Sequence, residues 1–225
     1  MARETDTAGV AEVQMRAYFS SSHLWGAQHF TRLAQEIEDQ HTGSKAIFKI
    51  DLRAYVINAV LSAVAFLEAS INEVYDDVAD KHPGYVDPLS PGTKRLLAGL
   101  WEHVERGPIL DKYRAALLCS GVDTFDKGQQ PYQDAKLLIK LRNQLIHARP
   151  KTQNTGDVDK LCEDLRTRFK PSRLMNNTAN PYFPDHCLGA GCAGWAVVSA
   201  QAFADEFFHR VGMQPNYQRA PFGPP

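Results

Sequence analysis

Apolar residues recur at helical spacing along most of the chain, and no stretch alternates as a β-strand would. Over residues 10–40, Val13, Tyr18, Phe19, Leu24, Trp25, Phe30, Leu33 and Ile37 follow that spacing, with breaks expected at Ser20–Ser22 and Gly26. His41 to Ser44 reads as a turn with Ser44 as N-cap. The longest helix is expected over 45–82, and its middle, AYVINAVLSAVAFLEASINEVYDDV, is apolar nearly all round. Such a pattern suits a central helix contacted on several sides. Residues 81–93 (KHPGYVDPLSPGT) form a loop; helices follow over about 94–105 and 110–119. Pro131 is placed to open another helix, where its missing N–H costs nothing. A short charged helix over 158–169, an irregular stretch over 170–184 and a last helix over 187–211 complete the pattern. The expectation is all-α: a bundle of five to seven helices forming one domain over 1–213. Its core spans about 10–150 plus the helix at 187–211, and a loose Pro-rich tail covers 214–225.

Within this pattern the segment 135–150, AKLLIKLRNQLIHARP, stands out. Leu138, Leu141 and Leu145 make one apolar stripe, with Ile139 and Ile146 a heptad apart beside it. Arg142, Asn143 and His147 interrupt it, and the helix is expected to end near Ala148 because a residue before proline leaves the helical region. On a regular helix Asn143 and His147 share a face, whereas Arg142 and His147 lie about 140° apart. Either a loosened helix end or a second copy meeting the first across a two-fold axis would bring arginine and histidine together. An imidazole moves protons near neutrality, a guanidinium grips phosphate oxygens, and an asparagine positions either. The trio therefore suits metal-free RNA cleavage, in which the 2′-hydroxyl attacks the neighbouring phosphorus.

Charge sharpens this picture. The chain as a whole carries a net charge of -1, so no bulk basic surface draws in nucleic acid. From Asp134 to Lys151, however, five cations (Lys136, Lys140, Arg142, Arg149, Lys151) face a single acid, a local balance of +4. Lys140, Arg149 and Lys151 are the candidate phosphate contacts on this strip, which otherwise reads as an ordinary solvated helix face.

The segment LLIKLRNQLIHARP resembles the signature of HEPN domains, an R-x4-6-H motif with a polar residue, often Asn, after the arginine. The long helix also resembles a pattern common in such proteins through AFLEASINEVYDD. The resemblance covers residues 45–150, with the last helix alike only in topology. It implies a homodimer built on facing motif helices and metal-independent endoribonuclease activity, as in toxin–antitoxin or antiphage systems. Arg142, Asn143 and His147 would be catalytic, RNA the substrate, and an antitoxin or inhibitor protein a partner, with no cofactor. HEPN toxins controlled by tyrosine modification carry R-x4-H-x-Y; here that position is Arg149, so such control is not expected. The alternative within the family is a non-catalytic module that binds RNA, nucleotide or protein. A third reading is a structural bundle with an ordinary helix end.

Glu68 and Asn72, four apart on the long helix, either satisfy each other and nearby backbone or support the site as second-helix residues; the former is the simpler reading. Asp185, His186, Cys187 and Cys192 hint at zinc but lack an evident further ligand, and Gly189, Gly191 and Gly194 more simply permit close packing. No metal is expected. Four cysteines in 225 residues make no disulfide framework and suit a reducing, cytoplasmic compartment. The N-terminal MARETDTAGVAEVQ lacks the apolar core of a signal peptide. The apolar runs 54–67 and 187–204 read as buried helices, and no membrane association is expected.

Overall fold

The computed structural model describes residues 15–149 and 159–218. Among them are seven α-helices and no strand: α1 (Ser20–Asp39), α2 (Ile50–Ala79), α3 (Pro91–Val104), α4 (Ile109–Cys119), α5 (Tyr132–Ile146), α6 (Lys160–Arg166) and α7 (Ala190–Val211). α2 packs against α1, α3, α4, α5 and α7. Its buried residues, including Val56, Val60, Phe66, Leu67, Ile71 and Val74, leave no wide polar face, which is why the segment is apolar nearly all round. By length and composition α2 alone among these helices could cross a membrane, yet half of its most apolar window is buried inside the bundle. Tyr113 of α4 locks the centre. Its hydroxyl donates to the Leu67 carbonyl at 2.8 Å, and its ring meets Phe203 and Phe207 of α7 edge-on at 4.9 and 4.8 Å.

Several boundaries differ from the sequence expectation. α1 starts at Ser20 and runs unbroken through Gly26; residues 15–19 are not helical, and 1–14 lie outside the described residues. α2 starts at Ile50, so Ser44 caps nothing and Lys49 occupies the N-cap without a side-chain bond. α3 starts early, because Ser90 accepts from the Thr93 N–H at 3.1 Å and Pro91 takes the first turn. Pro131 is the N-cap of α5, one residue before the helix proper. The C-terminal segment is less loose than expected. Residues 216–218 form a 3-10 turn in which buried Tyr217 packs edge-on against Phe66 and donates to Asp205 at 2.7 Å. Residues 216–218 thus pack on the bundle through an aromatic anchor whose hydroxyl is satisfied.

Two helices are capped from a distance. Neither α1 nor α7 has a capping side chain or an acid in its first turn. Glu73 of α2 supplies α1, accepting from the Ser20 N–H at 2.8 Å and the Ser20 hydroxyl at 2.7 Å. Glu38 of α1 supplies α7, accepting from the Ala190 N–H at 3.1 Å and the Ser172 hydroxyl at 2.9 Å. A carboxylate at a helix N-terminus satisfies an orphan donor and complements the helix dipole. These contacts tie α1 to both α2 and α7, which also pack directly on each other.

Burial, only partly offset by the Ser20 hydrogen bonds, raises the Glu73 carboxyl above its ordinary value. A raised carboxyl contributes stability that is complete below the unfolded value and lost as pH rises through the folded one. The thermal midpoint of the wild type, relative to Glu73→Gln, should therefore rise on acidification from neutral pH toward the ordinary carboxylate range. Parallel melting curves at several pH values check this; a gap independent of pH contradicts it.

Candidate functional site

α5 places its polar residues by simple helical geometry. Ala135, Leu138 and Leu141 are fully buried against the bundle. The opposite stripe, Lys136, Lys140, Asn143 and His147, is exposed at spacings of four, three and four. Ile146 lies beside it and is 52% exposed although apolar. Asp134 in the first turn pairs with Arg168 at 3.1 Å and ties α5 to the segment after α6.

The helix ends one residue before His147. His147 is the C-cap, with φ -99° and ψ 25°, and its N–H still donates to the Asn143 carbonyl at 2.9 Å. The end is thus loosened, the first of the two routes for bringing arginine and histidine together. It does not bring them onto one face: Asn143 and His147 are exposed, while Arg142 sits half-buried on the flank. Its Nε is shielded from solvent without a hydrogen-bond partner, and it makes no ion pair among the described residues. A guanidinium nitrogen held this way is an unmet donor, closed to ligand as it is to water; only the rest of the half-buried group is open to an anion. Arg149 is exposed just beyond the helix, and Lys151 lies outside the described residues.

No family model matches the chain, and no curated protein or solved structure shows significant similarity to it.

Glu68 and Asn72 do share a face of α2, but they turn toward Lys112 of α4. The Lys112 ammonium donates to Asn72 Oδ1 at 2.9 Å, lies 3.8 Å from Glu68 and sits over the Trp101 ring at 5.6 Å. No hydrogen bond or ion pair joins Glu68 or Asn72 to Arg142 or His147 among the described residues. Their evident work is to accommodate a lysine only 1% exposed, whose charge would otherwise be costly to bury. Lys112 was not conspicuous in the sequence; the only signal was a cation one helix turn inside an amphipathic segment. Replacing Glu68 with Gln leaves Asn72 and Trp101 in place and should cost less than about 1 kcal/mol, since Glu68 is itself half-exposed. Asn72→Leu removes the direct acceptor from a buried charge and should cost about 3 kcal/mol. Urea unfolding of the two variants distinguishes them.

The cysteine region is a packing feature. All four cysteines are free thiols; Cys187 and Cys192 are buried against each other, and that contact together with burial pushes the Cys192 thiol well above its ordinary value. His186 turns to Thr178, 3.2 Å from its hydroxyl. Among the described residues, no three His, Cys, Asp or Glu side chains are grouped to hold a metal. Gly189 and Gly191 permit close approach: a Cβ on Gly189 would lie 2.6 Å from both Ser172 Cα and Glu38 Oε1, and one on Gly191 2.5 Å from the Lys170 carbonyl oxygen. Gly194 has ordinary room.

Proposed function

We propose that the protein is an HEPN-type, metal-independent endoribonuclease acting as a homodimer through α5. The observation that carries this reading is the disposition of α5. An R-x4-H motif ends a helix whose outward stripe is basic and polar, with an exposed isoleucine beside it and, on its flank, a half-buried arginine that makes no ion pair among the described residues. Residues on two sides of one helix act together when a second copy of that helix lies across a two-fold axis. Ile146 gives such a seam an apolar contact.

In the proposed reaction the ribose 2′-oxygen attacks the adjacent phosphorus and the bond to the 5′-oxygen breaks. The 2′-hydroxyl proton is taken up by base catalysis and the leaving 5′-oxygen receives a proton, His147 being the group that moves protons. Arg142 holds the phosphate and the charge that builds on its oxygens. Asn143, on the face of His147, positions the phosphate or the imidazole. The products are a 2′,3′-cyclic phosphate and a 5′-hydroxyl. Lys140, Arg149 and Lys151 would hold flanking phosphates. A toxin–antitoxin or antiphage setting, with an inhibitor protein that restrains the enzyme, fits an activity of this kind inside a cell.

The dimer and the activity are tested together. Wild type should sediment as a dimer and cut single-stranded RNA in excess EDTA. Ile146→Asp should sediment as a monomer, keep its helical circular dichroism and lose cutting. A wild-type monomer, or a monomeric variant that cuts as well as the dimer, contradicts the composite site; RNA binding without cutting points to the non-catalytic module.

A further inference from the structure

A cavity of about 370 Å³ opens at the end of α5, lined by Gln144, one helical turn before its partner on the wall, Ala148, and by Arg149. The first two bracket His147 in the chain. The far wall comes from the turn before α7: Phe183, Asp185 and two prolines. The chain is extended at Phe183, with φ -102° and ψ 129°, within an otherwise helical turn, and its ring is half-buried. Asp185 is held in place from two sides: Arg53 of α2 pairs with Oδ1, and the Asn180 amide donates to Oδ2 at 2.7 Å. The cavity therefore joins an aromatic ring, an amide, a fixed carboxylate and a guanidinium, and the proposed catalytic histidine, which is not part of its lining, is the residue before Ala148 in the chain.

That combination matches the way unstacked RNA bases are recognised: the base stacks on an aromatic face, its edge is read by amide and carboxylate groups, and its phosphate is met by arginine. The volume is ample for one base with part of its ribose. From this geometry we infer that the cavity is the subsite for the base of a nucleotide flanking the scissile phosphate, with Phe183 as stacking platform and Asp185 as edge reader. This rests on the ribonuclease reading above. Each carboxylate oxygen of Asp185 has one of its two lone pairs engaged, so one remains on each to accept. It favours bases with an exocyclic amino group, adenine, cytosine and guanine. Uracil offers a single donor on that edge, N3–H, flanked by the acceptors O2 and O4, which meet the carboxylate acceptor against acceptor. Arg149, at the rim, takes the phosphate on that nucleotide.

The test uses the full-length protein and four short RNAs that differ only in the flanking nucleotide, read by cleavage rate and, in parallel, by fluorescence anisotropy. Wild type should discriminate against uracil about tenfold or more in kcat/KM. Asp185→Asn, whose amide can donate to O4, should remove or reverse that ranking. Phe183→Leu should weaken all four substrates, raising KM about tenfold, and Phe183→Tyr should restore the wild-type values. Melting curves verify that each variant is folded; if Asp185→Asn unfolds through loss of Arg53, the two Phe183 variants decide. Cleavage with no base preference, or a ranking and KM untouched by the variants, overturns the subsite and leaves the ribonuclease reading intact. Absence of cleavage with the same base ranking in binding overturns the catalytic reading and retains the subsite. Neither cleavage nor base-dependent binding overturns both.

Discussion

Replacing His147 with alanine is expected to reduce RNA cleavage by about 10²–10⁴-fold, the usual contribution of a positioned proton-transfer group. Stability should barely move. His147 is exposed at the end of α5 and its cap bond is made by its backbone N–H, which alanine retains. The expected change in unfolding free energy is within about 0.5 kcal/mol. Arg142→Ala should fall in the same activity range but with a different signature, because it removes charge stabilisation: Lys at this position should restore little, lacking the planar fork. Rates measured with a labelled RNA, alongside thermal melts, check both. An alanine at 147 that cuts RNA normally would remove histidine from the mechanism.

The largest effect on stability is expected at a residue with no side chain. In Gly189→Ala the new methyl would have to displace the Ser172 backbone and the Glu38 carboxylate, both 2.6 Å away. Neither gives easily, since Glu38 is buried and caps α7 through the Ala190 N–H. Overpacking of this kind costs about 3 kcal/mol or more when the obstacle is backbone. The loss of a charged cap adds to it if Glu38 is pushed aside. Gly194→Ala serves as the control: its Cβ would meet Thr31 at an ordinary 4.0 Å, so in mid-helix it should be neutral or stabilising. Denaturant titration of the pair should show a lower midpoint for the first only.

These two sites also show what a sequence can disclose. The all-α class and the centrality of α2 were legible because the apolar positions of α2 encircle the helix, and only burial on several sides accounts for that. The ends of helices were harder. Ser44 looked like a cap and is not one, whereas Ser90 with Pro91 caps α3 by local rules that residues 90–93 display openly. The caps on α1 and α7 come from Glu73 and Glu38, which lie 53 and 152 residues away in the chain from the N–H groups they satisfy. No local pattern encodes a partner so distant. Tyr217 is hidden for a similar reason: the prolines around it suggest a loose tail, while its anchorage depends on Phe66 and Asp205.

At the candidate site, helical spacing was enough to separate Arg142 from the face of Asn143 and His147, and the fold keeps them apart. It was not enough to assign Glu68 and Asn72, because the group they serve, Lys112, belongs to another helix. Nor did it disclose the cavity at the end of α5, whose far wall, Pro181 to Asp185, comes from the turn before α7. Motif residues sit on one element and are read from it; the groups that surround them are assembled by packing.

A metal-independent, 2′-hydroxyl-driven ribonuclease site on α5 dictates which ends a cut RNA carries. The most direct measurement is the chemistry of the cut ends. Purified protein is incubated in excess EDTA with a defined RNA and with the same strand bearing a 2′-deoxy substitution 5′ to each cleavage position. The first should be cleaved, leaving 2′,3′-cyclic phosphate and 5′-hydroxyl ends by mass spectrometry, and the second should stay intact. Cutting of the deoxy-substituted strand, a 5′-phosphate product, or an activity that EDTA abolishes would contradict this mechanism.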